Sequence, residues 1–331
     1  MAASRFREYT RLGGDIDDFL TKGLAFGFVG IMVVTEDVTQ IAIMITPKTI
    51  LLPVDFSPSA VRAVAHARIM AKQFDSTIVI LHVLPPLQAV SGDAGSAAAV
   101  YDWYNLQKPL LKAQLEEFTK LHLEGCTTKV LFREGDPATE IVSAANEEKA
   151  DLIMLATHGY GPFRRFLLGS VAAKVLNDSR VPVLTATHVE APAGEAVQMK
   201  SIIVAVEIDD RAPKLIAAGD SMAKAFGASL HVVHASPDDG AGAAHFMDPA
   251  WRLDVAQILR TKLEESVKTA AATATVHVIP GEAAKVVRQV AQDVDAGLII
   301  LGRHLDHSFL GRLRTHSYAI VREATCPVLS L

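Results

Sequence analysis

Asp151-Leu-Ile-Met-Leu-Ala-Thr-His-Gly-Tyr-Gly-Pro-Phe-Arg-Arg-Phe-Leu-Leu-Gly-Ser170 is the stretch from which the fold is read. Its opening is a short apolar run, which predicts a buried strand. A glycine-bearing loop with Arg164 and Arg165 follows, and Gly169-Ser170 steps into a predicted helix Val171–Leu176. A buried strand that turns into a helix is the building unit of α/β folds. The start of a helix carries unpaired backbone N–H groups and the positive end of the helix dipole, so this one suits an anion, above all a phosphate. Gly159 and Gly169 let backbone approach such a ligand closely, and Ser170 adds a hydroxyl at the helix start.

Outward from that stretch, the chain repeats itself. Thr49-Ile-Leu-Leu-Pro-Val-Asp55 matches Ser201-Ile-Ile-Val-Ala-Val-Glu207, and Ile78-Val-Ile-Leu-His-Val83 matches Leu230-His-Val-Val-His-Ala235. Gly135-Asp-Pro-Ala-Thr-Glu-Ile-Val142 matches Gly281-Glu-Ala-Ala-Lys-Val-Val-Arg288, and Asp151–Ala156 matches Gly297–Gly302. Each copy closes on a short strand with a proline, Val181-Pro-Val-Leu-Thr185 and Cys326-Pro-Val-Leu-Ser330. Such self-similarity is the mark of a duplicated unit. Residues 48–188 are read as a first domain, 189–199 as a linker and 200–331 as a second domain, with 1–47 an unassigned extension.

Within each copy the strand runs do not alternate strictly, so both of their faces are expected to be covered. Helices are predicted between them: Ser59–Phe74 behind a Ser57-Pro58 start, Lys108–Leu123 with an apolar stripe, Pro137–Glu148 with Asp136 as N-cap, and Val171–Asn177. The order β-α-β-α-β-α-β-α-β predicts an α/β fold of two tandem, doubly wound, mostly parallel five-stranded sheets, Rossmann-like in layout. Ligands of such sheets sit beyond the carboxyl ends of strands where the strand order reverses. Asp55, Val83 and Gly159 each follow or end a predicted strand, so they are expected to converge there.

Composition narrows the function classes. Half of the 331 residues are hydrophobic and 21% are charged, which is the balance of packed domains. The formal charge of −5 offers no basic face for nucleic acid. Cys126 and Cys326 stand alone, without ligand spacing for zinc or a disulfide framework, which favours a cytoplasmic setting. The apolar run Gly23–Val34 is 12 residues long, short of the ~20 that cross a bilayer, so no membrane association is expected.

These residues are the ones by which the chain resembles the universal stress protein family, in tandem form, over Lys48–Leu331. The nucleotide-binding branch of that family carries Gly-x2-Gly-x9-Gly-Ser/Thr after the fourth strand. Here Ala156-Thr157-His158-Gly159 is followed by nine residues and Gly169-Ser170, with alanine in place of the first glycine. The resemblance implies that Pro53, Val54, Asp55 and Val83 hold the adenosine part of ATP. It implies that Ala156, Thr157, His158 and Gly159, with Gly169, Ser170 and Val171, hold the phosphates. Mg2+ is a candidate bridge between phosphate oxygens. It also implies that the last strands pair, within the chain as a built-in dimer or between chains as a homodimer. The second copy has Glu207 for Asp55, Leu305 for Gly159 and Arg314-Thr315 for Gly169-Ser170, so it reads as a degenerate site. An alternative lets Arg303, Arg312 and Arg314 bind another anion.

The expected function is that of an ATP-binding stress-response or regulatory module with little or no turnover. No Gly-Lys-Ser/Thr follows the glycine loop and no side chain stands out as a general base. Two alternatives remain at this stage: an interaction module of the same fold that binds no nucleotide, and a slow ATP-hydrolysing or nucleotide-activating enzyme.

Overall fold

The computed structural model describes residues 46–86, 97–157, 168–186, 199–236, 249–303 and 315–331. The first half runs β1 (Thr49–Pro53), α1 (Pro58–Phe74), β2 (Thr77–Leu84), α2 (Ala97–His122), β3 (Thr128–Glu134), α3 (Pro137–Glu147), β4 (Leu152–Ala156), α4 (Ser170–Asp178) and β5 (Val183–Ala186). The second half repeats the order as β6 (Ser201–Ala205), α5 (Ala212–Phe226), β7 (Ser229–Ser236), α6 (Pro249–Thr269), β8 (Thr275–Pro280), α7 (Ala283–Asp293), β9 (Leu298–Leu301), α8 (Thr315–Glu323) and β10 (Val328–Ser330).

The expected two five-stranded sheets are joined into one. Its strand order is β3-β2-β1-β4-β5-β10-β9-β6-β7-β8. Every pairing is parallel except the central one, where β5 and β10 run antiparallel with Val183 opposite Ser330, Leu184 opposite Leu329 and Thr185 opposite Val328. The seam is buried: Val183 and Leu184 are fully inaccessible. It satisfies two strand edges that would otherwise template aggregation.

The apolar strand runs are explained by their burial. Ile50, Leu51, Leu52, Ile153 and Met154 have no exposed surface, because helices cover both faces of the sheet. Local chemistry sets the helix ends. The Ser57 hydroxyl accepts from the Ala60 N–H at 3.1 Å ahead of Pro58 at the first turn, and α1 stops where Asp75 turns left-handed. Helix α2 begins well before the predicted Lys108, carrying Pro109 inside it. The proline signals a start only if nothing helical precedes it, and here a stretch rich in alanine does.

In each half the order reads 3-2-1-4-5, so the chain reverses direction across the sheet between β1 and β4. Ile50 lies beside Leu152 and Leu51 beside Ile153, which sets the carboxyl ends of these two strands next to each other. That is where a ligand crevice forms in a doubly wound sheet.

Candidate functional site

The first wall of the crevice is the exit of β1. Pairing with β2 persists one residue past the strand, the Val54 N–H donating to the Leu81 carbonyl at 2.8 Å. The His82 Nδ1–H donates to the Val54 carbonyl at 2.8 Å, so this histidine fixes the turn. Burial pushes its pKa below the usual histidine value, leaving the ring neutral. The second half repeats the device, with His234 Nδ1 at 3.0 Å from the Val206 carbonyl. Both histidines are structural, as their position at the ends of apolar strands suggests.

Beyond Val54 the chain turns sharply. An Asp55 carboxylate oxygen accepts the Ser57 N–H at 3.0 Å, and between them Phe56 takes a φ of 62°. Left-handed backbone at a bulky residue costs roughly 1–2 kcal/mol, and such outliers gather at functional sites. The Phe56 ring stacks on His82 with centroids 4.5 Å apart and meets Phe118 edge-on at 5.7 Å. This packing holds the strained turn and presents Asp55, which is exposed. The turn-forming reading of Asp55 and the ligand-facing reading are therefore compatible: one oxygen shapes the loop while the side chain stands at the crevice mouth.

The second half turns differently. Ile208, which matches Phe56, is not among the residues with positive φ, and the Asp209 carboxylate takes the Arg211 N–H at 3.0 Å and its guanidinium at 2.6 Å.

The second wall is β4 and the start of α4. Ala156 ends β4 opposite Ala186 and is not among the residues with positive φ. The alanine that stands where the family pattern has glycine is accordingly unstrained, and its N–H is retained. The Gly169 N–H donates to the Thr157 carbonyl at 2.8 Å, so the two ends of the intervening loop meet. His158, Gly159, Arg164 and Arg165 lie outside the described residues. Gly169 is the N-cap of α4 with extended backbone, a residue with no side chain to offer its first turn. Ser170 and Val171 are exposed. The first-turn N–H groups of a helix have no intrahelical partner, so α4 aims backbone donors and a positive dipole end at the crevice.

Neighbouring helices hold α4 in place. The Asp136 carboxylate caps α3 by accepting from the Thr139 N–H at 3.0 Å, and it also takes the Lys174 ammonium from α4 at 2.8 Å. The lysine hydrogen bond, followed by those of Thr139, brings its pKa down to about 2. Sequence reasoning found the cap but not the lysine, which lies 38 residues away.

Arg303 is not an anion site. It is buried, and its guanidinium is spent on three backbone carbonyls of the first half, described below. Arg312 and Arg314 lie outside the described residues. No helix among the described residues is long and apolar enough to cross a membrane.

Comparison with known proteins bears on this geometry. The universal stress protein family profile matches residues 46–186 and again 199–331. A universal stress protein of Methanocaldococcus jannaschii is 34% identical over 142 residues, 41% of this chain and 80% of the relative. One from Thermus aquaticus is 33% identical over 138 residues, 41% of this chain and 96% of its own length. The crystal structure of a universal stress protein from Archaeoglobus fulgidus superposes with a TM-score of 0.61 at 23% identity, covering 86% of this chain and 97% of that one. The last likeness speaks to the fold.

Proposed function

The chain belongs to the universal stress protein family, with one family unit in each half, and on that premise we propose that it is an ATP-binding regulatory module. In this reading residues 48–188 form the ligand-bearing domain and 200–331 a domain that no longer binds. The observation that carries it is the exposed start of α4, with glycine at its N-cap, at the switch point of the first half where Asp55 is also exposed.

The residues present fit an adenine nucleotide. Asp55 offers a carboxylate to ribose hydroxyls, and the end of β2 at Val83 lies beside the same crevice. Gly169, Ser170 and Val171 offer backbone N–H groups, and a hydroxyl from Ser170, to phosphate oxygens. Ala156 and Thr157 line the base of the loop, and His158 and Gly159 continue it by the family pattern. Mg2+ would be held by the phosphate oxygens of the bound nucleotide.

Little or no turnover is expected. No Gly-Lys-Ser/Thr follows the glycine loop, and no side chain of the sequence stands out as a general base. Bound nucleotide then acts by favouring one conformation, to the extent that it binds that conformation better than another.

The test is to purify the protein without added nucleotide, denature it and identify released small molecules by mass spectrometry, with calorimetric titration of ATP alongside. Ser170→Glu is the informative variant. A carboxylate in the first turn favours the helix yet repels phosphate, so the variant should stay folded and lose ATP affinity by more than about tenfold. A wild type that neither releases nor binds adenine nucleotide refutes the proposal and leaves an interaction module of the same fold.

A further inference from the structure

Arg303 occupies an unusual position. It follows β9 through Gly302, at the place in the second half that Thr157 holds in the first, where the phosphate loop begins. Its N–H donates to the Leu331 carbonyl at 2.7 Å. Its side chain crosses the β5–β10 seam into the other half. There Nη1 donates to the carbonyls of Leu176 at 3.3 Å and Ser179 at 3.0 Å, and Nη2 to that of Val181 at 2.8 Å. Leu176 is in the last turn of α4, Ser179 is its C-cap, and Val181 leads into β5. Nε is buried with no hydrogen-bond partner among the described residues, and the residue is 9% exposed.

Burying a guanidinium is costly, and leaving one of its donors unmet adds to that. Its return is a cation against the negative end of one particular helix, where the last carbonyls have no intrahelical donors. That helix is α4, whose other end is the proposed phosphate site. Helix α4 spans nine residues, about 13 Å, short enough to move as a rod. It is tied at its start by the Gly169–Thr157 bond, at its middle by Lys174 and Asp136, and at its end by Arg303.

We propose that Arg303 is a positioning residue for the nucleotide site of the first half, supplied by the second half. In this reading the second half, which carries Leu305 for Gly159 and Arg314-Thr315 for Gly169-Ser170, uses the position after β9 to clamp the far end of the phosphate-binding helix. The proposal rests on the nucleotide reading given above and deepens it. It makes the affinity of one half for phosphate depend on a side chain of the other.

The experiment uses the full chain as wild type, Arg303→Met and Arg303→Lys, with Arg180→Met as control, an exposed cation at the same helix end. Calorimetry measures affinity for ATP and for adenosine under conditions where circular dichroism shows each variant folded. Amide exchange reports on residues 171–181. Arg303→Met should weaken ATP binding by about five- to tenfold, the scale of a partly buried charge at a helix terminus, and leave adenosine binding within twofold. Exchange in α4 should rise more than in β1 and β4. Arg303→Lys, which keeps the charge and reaches fewer carbonyls, should recover part of the loss and keeps the test open if the methionine variant does not fold. Arg180→Met should match wild type.

Equal loss of ATP and adenosine affinity in Arg303→Met would mean general damage and overturn the proposal. Unchanged ATP affinity in a wild-type-like background would overturn it as well. A wild type that binds no ATP overturns the nucleotide reading first, and the positioning role falls with it.

Discussion

Gly219→Ala in helix α5 is a sharp test of how the second half is packed. Gly219 is buried in the helix, and a Cβ built on it would lie 2.2 Å from Cγ2 of Val204 and 3.2 Å from Cδ1 of Leu230. Carbon atoms in contact sit about 3.5–4.0 Å apart, so the helix or the strand would have to give by more than 1 Å, roughly. Val204 cannot swing away. It is fully buried and β-branched, and its strand is held by Val232 on one side and Ile300 on the other. Overpacking of this kind costs about 1–3 kcal/mol and here takes the upper part of that range, while the helix gains about 1 kcal/mol from replacing glycine. The net expectation is a loss of about 1–2 kcal/mol. In the first half the matched positions are Ala67 and Leu52, both fully buried, so the same space is divided differently between helix and strand. Urea unfolding followed by circular dichroism should show the midpoint falling by roughly 0.5 M. Adding Val204→Ala should make the pair less damaging than the sum of the two, because the new methyl fills the space vacated. If Gly219→Ala raised the midpoint, the close packing of α5 on β6 would be wrong.

Two further predictions concern titratable groups. Burial, aided by Asp295, pushes the Cys326 thiol up to about 12, while Cys126 is half-buried. Iodoacetamide at pH 8 should therefore modify Cys126 in the native protein and reach Cys326 only in denaturant, and mass spectrometry showing equal rates would contradict this. His231 Nδ1 and His277 Nε2 lie 3.1 Å apart across β7 and β8, and burial lowers both pKa values, the neighbouring histidine adding to it for His231 and Arg260 for His277. Because the unfolded chain takes up these protons first, stability is unaffected above about pH 6.5 and falls as pH drops through the lowered folded values. His277→Gln should flatten the decline in urea midpoint between pH 7.5 and 5, and an unchanged slope would count against the pair.

The inner strands were legible because each is an apolar run set off by turn residues, and the repeat made every reading count twice. The edge strands β3 and β8, Thr128-Lys-Val-Leu-Phe-Arg-Glu134 and Thr275-Val-His-Val-Ile-Pro280, are mixed in polarity and were placed only by the order of elements. The joining of the two sheets was less legible: it depends on β5 and β10, whose paired residues are more than a hundred positions apart in the chain, and the pointers to it were the family resemblance and their need for a neighbour. Of the site, Asp55 and the Gly169-Ser170 step were readable as chemistry, and the family pattern supplied the rest. The positive φ of Phe56 was hidden, because nothing about a phenylalanine announces left-handed backbone. The alternative that made Arg303 an anion ligand failed for a related reason. Its acceptors are main-chain carbonyls, which leave no mark in side-chain identity, and they lie 122 to 127 residues away.

The seam between β5 and β10 has a genetic consequence. Where two identical subunits meet about a two-fold axis, every substitution is made on both sides at once, and a contact can improve on one side only if its mirror image tolerates the same change. Here the two sides are encoded separately. A single codon change at position 303 alters one side of the seam and leaves the matched Thr157 as it was. Fusion thus frees the interface from self-complementarity, so that one partner can give up its ligand and specialise in serving the other.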